Sequence, residues 1–171
     1  MEPLDSVLSW LQINAEVDIG IFEKIAKEGI KRAVKTKKNE KVGNFHTAFT
    51  DWHHYNGLYA GDSLIKQSEL ALFYYLKTDK KAKIAETRKN LAHDYIVVRR
   101  LVESQNELLK TIVLYEEFGN ELGVAKAYRN LSNSYIITEE PEKAFKYLDK
   151  VAPVLENLVI LKVFLTAILA I

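Results

Sequence analysis

The chain repeats part of its own sequence forty residues further on. The segment 90–96, with the sequence NLAHDYI, returns in register as NLSNSYI over 130–136, and Ala85 returns as Ala125. An internal period of this length is typical of stacked helix–turn–helix units. Such units bury their apolar faces against each other and leave an open groove on one side. The repeat therefore favours a helical array over a fold built around a catalytic pocket.

Composition narrows the class of protein further. Of the 171 residues, 48% are hydrophobic and 27% are charged, which is typical of a folded soluble chain. The formal net charge is +1, so nothing in the balance predicts nucleic-acid binding. The chain has no cysteine, which excludes disulfides and thiolate chemistry. The acidic start lacks the basic region of a secretory signal, and we expect a cytoplasmic protein.

The hydrophobic pattern is helical along nearly the whole chain, because apolar residues recur at three- and four-residue steps. Segment 35–41 interrupts this pattern and is interpreted as a solvated helix end or loop. Gly61 is expected to end a long helix, since glycine favours the position after a helix C-terminus. The predicted helices span about 4–15, 18–36, 42–60, 63–78, 81–98, 103–118, 121–138 and 141–155.

No linker divides the sequence, so we predict one all-α domain over 1–171 with about eight or nine helices. Residues 158–171 are almost wholly apolar, but 14 residues are too few for a spanning helix, which needs about 20. We expect them to begin a further helix. They also leave open self-association, a continuation beyond residue 171, and a membrane contact.

The second copy of the repeat resembles the signature of tetratricopeptide repeats. That signature is W-x2-L-G-x2-Y followed by A-x3-F. This chain has Tyr128, Leu131, Ser132 and Tyr135 at the first four positions, then Ala144 and Leu148. The first copy is weaker: Arg88 replaces the aromatic residue, and Leu91, Ala92, Tyr95, Ser104 and Leu108 follow in register.

The resemblance divides the chain into repeats of unequal quality. Segments 83–122 and 123–157 each carry a repeat, 43–82 is degenerate, and 1–42 is a helical pair without the signature. Two frames remain open in the degenerate unit. One pairs Tyr55 with Tyr95, and the other is shifted by four residues and uses Trp52, Tyr55 and Tyr59. The period of forty is similar to that of longer-period arrays in bacterial sensor and regulator proteins.

This resemblance implies a right-handed α-solenoid that binds a protein or peptide segment without catalysis or a cofactor. It also implies which positions of the first helix in each repeat face the concave groove. Asparagine amides there can clamp a peptide backbone, and basic residues can bind carboxylates. The implied contacts are Lys89, Asn90, His93, Lys126, Arg129, Asn130 and Asn133, with Glu86 at the remaining equivalent position.

Two other functions stay open at this level. One is structural: the apolar segment 158–171 would drive the association of identical chains into a homo-oligomer. A metal-dependent activity would use His46, His53 and His93, although the chain lacks the HExxH spacing of zinc enzymes. We expect no enzyme activity, because the motifs of nucleophilic and phosphate-binding sites are missing from the sequence.

Overall fold

The computed structural model describes residues 3–14, 16–57, 61–154 and 156, and these are helical throughout apart from short connections. Eight helices are present in that part of the chain, which confirms the predicted all-α class. They are α1 (Leu4–Ile13), α2 (Ile19–Lys35), α3 (Asn39–Tyr55), α4 (Gly61–Tyr75), α5 (Lys81–Val97), α6 (Leu101–Glu117), α7 (Glu121–Ile137) and α8 (Pro141–Leu148).

The helices form a solenoid of antiparallel pairs, because each one packs mainly against its neighbours in the sequence. We call the first helix of each pair helix A (α1, α3, α5 and α7) and the second helix B (α2, α4, α6 and α8). Additional contacts join α1 to α3 and α5 to α7, so consecutive A helices lie on the same side of the array. The architecture is that of a helical-repeat protein.

The third and fourth pairs are structural equivalents at the predicted spacing. Helix α5 begins at Lys81 and α7 begins at Glu121, forty positions later, and the ends of the two helices keep the same spacing. Helices α6 and α8 begin at Leu101 and Pro141, again with this spacing. The period read from the sequence is therefore also the period of the structure.

The turns that follow α5 and α7 are alike as well. Arg99 and Glu139 both have positive φ, at 63° and 59°. In each turn the next backbone N–H donates to the carbonyl of Tyr95 or Tyr135. Tyr95 and Tyr135 therefore occupy equivalent places near the ends of equivalent helices.

The second pair follows a frame that differs from both frames suggested by the sequence. Helix α3 begins at Asn39 and α5 begins at Lys81, so their spacing is forty-two positions, and it is the same at the helix ends. In this frame His53 is equivalent to Tyr95, and both are buried, whereas Tyr55 is 66% exposed. The two extra residues lie in the connection between α3 and α4, because the starts of α4 and α6 keep the spacing of forty.

The turn after α3 shows why that helix is shorter than the sequence suggested. Gly57, rather than Gly61, has the left-handed backbone that ends α3, with a φ of 66°. Gly61 instead begins α4. Gly57 lies at the position of Arg99 and Glu139, so α3, α5 and α7 end in the same left-handed backbone conformation.

Each described A–B pair from α3 onward contains one cross-helix contact at the same place, made with different chemistry. In the second pair it is a hydrogen bond of 2.7 Å, in the third an ion pair, and in the fourth a ring stack with centroids 5.7 Å apart. The residues are His46 with Gln67, Arg88 with Glu107, and Tyr128 with Tyr147. The ion pair explains why Arg88 departs from the aromatic position of the signature.

The core consists of three clusters of buried apolar residues along the array and depends on close helix contacts. Gly29 of α2 lies against the ring of Phe45, and a Cβ atom there would stand 2.3 Å from the ring. Ser132 and Ala144 are buried, as expected for small residues between helices A and B. Large apolar side chains are fully buried too, and burial of each contributes about 2 kcal/mol. They include Phe22, Leu108 and Leu131.

Residues 158–171, for which the sequence suggested a further helix, lie outside the described part of the chain. Among the described helices, none has both the length and the apolar character needed to cross a bilayer.

Candidate functional site

Six of the seven residues predicted to face the groove line one cavity. The cavity has a volume of about 640 Å³ and is bounded by α3, α5, α7 and α8. The six residues are Lys89, Asn90, His93, Arg129, Asn130 and Asn133. Lys126 does not line this cavity; it is an exposed residue one turn earlier on α7. We call the surface formed by the A helices, including this cavity, the concave groove.

The grouping follows from helix geometry and repeat register. Positions three and four residues apart share one face of a helix. Asn90 and Asn130 are equivalent because they occupy the same place in α5 and α7. The equivalent residue on α3, in the frame of forty-two positions, is Ala48. The groove therefore has an asparagine at this position on two neighbouring helices, α5 and α7, and none at the equivalent position of α3.

The amides in the cavity are available to a ligand. Within the described residues, the side chains of Asn90, Asn130 and Asn133 make no hydrogen bond to the protein. Asn90 and Asn130 are half-buried and Asn133 is exposed. An asparagine amide offers two donors and one acceptor, which match the two groups of a peptide unit.

Basic side chains in the groove differ in how far they are neutralised. Lys89 forms an ion pair with Glu86 on the same helix. Burial opposes the ionisation of Glu86, but hydrogen bonds from Lys89 and from the Tyr115 hydroxyl outweigh it and lower the pKa of Glu86. Arg129 and Lys126 make no ion pair to any described residue. The unneutralised positive charge of the groove is thus concentrated on α7.

His54 is a groove residue that the sequence analysis missed. Its side chain lines the cavity, and its ring centroid lies 6.3 Å from that of His93. The Nε2–H of His54 donates to Asp94 Oδ1 at 2.7 Å. The Ser68 hydroxyl donates to the other oxygen of Asp94, also at 2.7 Å. These bonds join α3, α4 and α5 through one buried carboxylate.

Charge and burial shift the pKa values of two groups near this cluster. The hydrogen bond to Asp94 is the main cause that raises the pKa of His54, against partial burial. Asp51 is exposed by surface area, but it faces the groove, and desolvation there raises its pKa. The nearby His54 opposes that rise. Sequence spacing gave no signal for His54, because the spacing of forty-two became visible only in the structure.

The groove continues beyond the first cavity toward the N-terminal end of the array. A second cavity of about 320 Å³ lies between α1, α3 and α5, and Asn90 lines both cavities. Asp5, Asn44 and Glu86 line this second cavity. The concave groove therefore extends over all four A helices.

The three histidines considered as metal ligands have different surroundings. His46 donates to Gln67, and His53 is buried, with Nδ1–H donating to the Phe49 carbonyl at 2.8 Å. His93 lies in the groove. Within the described ranges, no group of three or more histidine, aspartate or glutamate residues is arranged to hold a metal ion.

No protein-family model matches the chain, and no curated protein matches it in sequence. Solved structures do match its fold. The crystal structure of BtubC (BKLC) from P. vanneervenii superposes with a TM-score of 0.78 at 18% identity. The match covers 90% of this chain and 64% of BtubC, so this chain spans only part of the length of that structure. At this identity the likeness concerns the fold alone.

Proposed function

We propose that the chain is a non-catalytic scaffold of the tetratricopeptide type, whose concave groove binds an extended protein or peptide segment. The observation that carries the proposal is the cavity between α5 and α7, where three asparagine amides have no hydrogen-bond partner among the described residues. Unpartnered amides in a concave surface are suited to backbone recognition.

In this proposal the asparagines bind the backbone and the cations on α7 bind acidic groups. Asn90 and Asn130 lie on neighbouring helices about 10 Å apart and can contact peptide units about three residues apart in an extended segment. Arg129 can bind a carboxylate with two parallel hydrogen bonds, and Lys126 adds a point charge. Each neutral hydrogen bond contributes about 1 kcal/mol net, so we expect modest affinity after ordering costs.

The resemblance to long-period arrays supports a sensory or regulatory module of a bacterial signalling or transcription-regulating protein, acting in the cytoplasm. The BtubC structure extends beyond the matched region, which is compatible with a module that works together with other segments. A second proposal is that the partner is another copy of this chain, bound through residues 158–171.

The test uses a displayed library of random peptides selected on the full chain. Selected peptides are synthesised, and their dissociation constants are measured by fluorescence anisotropy. We expect the double variant Asn90→Ala/Asn130→Ala to weaken binding about 10- to 30-fold, since two hydrogen bonds of about 1 kcal/mol are lost. Circular dichroism should show unchanged helicity.

The matched control is Asn106→Ala, which removes an exposed asparagine from helix B α6. It should leave the affinity unchanged. Equal affinities for the wild type and the double variant would show that the peptides bind elsewhere and would contradict the proposal.

A further inference from the structure

The equivalent positions on α3, α5 and α7 form a grid across the concave groove. Four positions on each helix belong to it, and the repeat spacings of forty-two and forty place them in rows. Eleven of the twelve residues line cavities between the helices, and Lys126 lies one turn before Arg129. The grid is Asn44, Thr47, Ala48 and Asp51 on α3; Glu86, Lys89, Asn90 and His93 on α5; and Lys126, Arg129, Asn130 and Asn133 on α7.

Formal charge rises along this grid from one end to the other. With neutral histidines, α3 contributes −1 from Asp51, and α5 contributes 0 because Glu86 and Lys89 cancel. Helix α7 contributes +2 from Lys126 and Arg129. The ion pair between Glu86 and Lys89 neutralises the charge at the four groove positions of α5.

The N-terminal end of the groove contains charges of both signs, and each of them pairs with another charge of the protein. Asp5 of α1 lines the second cavity, where it pairs with Lys41, and Glu86 lines that cavity too. Lys83, also in this cavity, is held by Glu40 and by the Asn44 amide oxygen, at 3.4 and 2.6 Å. Its charge is thus already partnered, whereas Lys126 and Arg129 form no close ion pair with a described residue, and Lys126 interacts with Glu86 only at longer range.

We infer that the groove orients its ligand by charge, and that it takes a segment with an acidic half over α7 and a basic half over α3. This inference rests on the proposed function and adds the chemical class and the direction of the ligand. Packed helices lie about 10 Å apart, so α3 and α7 are separated by roughly 20 Å. An extended segment of ten residues spans about 33 Å and can cover both.

The separation of the two charged ends makes the selection possible. It exceeds the Debye length of about 10 Å at 0.1 M salt, so each half of the ligand interacts mainly with its own end of the groove. A ligand whose charges alternate has the same net charge but cannot match both ends.

The experiment compares two synthetic decapeptides of identical composition with four glutamates, four lysines and two serines. One has all its glutamates in one half and all its lysines in the other, and its isomer alternates them. Fluorescence anisotropy with the full chain at 50 mM salt measures both affinities. We expect the segregated peptide to bind about fivefold tighter, since several exposed charge pairs are each worth only a little.

Two charge-reversal variants assign the effect to the groove. Lys126→Glu/Arg129→Glu should remove the preference for the segregated peptide. Lys66→Glu/Lys146→Glu changes the net charge equally on helices B, where neither lysine has an ion pair among the described residues, and should keep it. A nitroxide on the acidic end of the peptide should broaden the backbone amide resonances of α7 more than those of α3.

Equal affinities for the two isomers, failure of the segregated peptide to bind, or broadening centred on α3 would each overturn the charge-direction proposal. The groove proposal is judged separately by the library-selected peptides. If those peptides lose affinity in Asn90→Ala/Asn130→Ala while the isomers bind equally, the groove binds peptides without orienting them by charge.

Discussion

At the scale of single residues, Asp94 is a buried carboxylate that hydrogen-bonds to residues of two other helices. Its side chain is 2% exposed, and burying a carboxylate is costly unless partners hydrogen-bond to both of its oxygens. His54 and Ser68 supply those bonds from two other helices. The cluster therefore couples the groove wall to the packing of α3, α4 and α5.

We predict that stability falls as pH rises above 6.5. The hydrogen bond to Asp94 raises the pKa of His54 above its usual 6.5, so the folded state keeps this proton to higher pH than the unfolded state. The contribution is complete below pH 6.5 and is lost as pH rises through the raised pKa. Burial lowers the pKa of His46. This second shift decreases the free energy of unfolding only as pH falls below 6.5, so it does not contribute to the loss at higher pH.

Urea unfolding between pH 6 and 8 measures this effect. His54→Gln should lower the free energy of unfolding by about 1–2 kcal/mol at pH 6 and flatten its decline with pH. His93→Gln is the control, because it removes a histidine from the same groove without removing a hydrogen bond to Asp94. If the free energy of unfolding of His54→Gln declines with pH as steeply as that of the wild type, a group other than His54 controls the pH dependence of stability.

At the scale of elements, the A–B pairs tolerate different chemistry at one contact. The ion pair of Arg88 and Glu107 and the stacked rings of Tyr128 and Tyr147 occupy equivalent places. Arg88 and Glu107 are 14% and 13% exposed at the side chain, so each single replacement leaves a mostly buried charge. Replacing both partners of such a pair is often neutral.

We therefore predict that Arg88→Tyr and Glu107→Tyr each destabilise the protein by about 2–3 kcal/mol, whereas the double variant lies within about 1 kcal/mol of the wild type. Chemical denaturation of the four proteins forms a double-mutant cycle. The control is Lys146→Tyr, at an exposed lysine of α8 without an ion pair among the described residues, and it should change stability little. Additive losses in the double variant would show that the two contacts are not equivalent.

Sequence pattern predicted the helices well but not the frame of the second pair. Helices α5 to α7 were predicted within about two residues because glycine and charged turns bound strongly periodic segments. The signature is not recognisable over 43–82, because its positions are occupied by His46, Phe49 and Thr50. These three residues are buried, as the signature residues are, although their types differ. The frame depends on two extra residues in a connection, which pattern alone does not locate.

At the scale of the whole molecule, stacking converts local repeats into one surface. Six of the seven predicted groove residues share a cavity because α5 and α7 are equivalent, and the register alone was enough to group them. His54 was missed because it comes from α3, whose spacing differs. The grouping of these residues follows from the fold, whereas their role in peptide binding is the claim still to be tested.

An NMR titration of the full chain with a library-selected peptide tests that claim most directly. We expect the largest shift changes in the side-chain amide resonances of Asn90, Asn130 and Asn133, with the Asn106 amide on α6 unchanged. Shift changes confined to Asn106 and the other residues of the B helices, with the groove amides unaffected, would contradict the account.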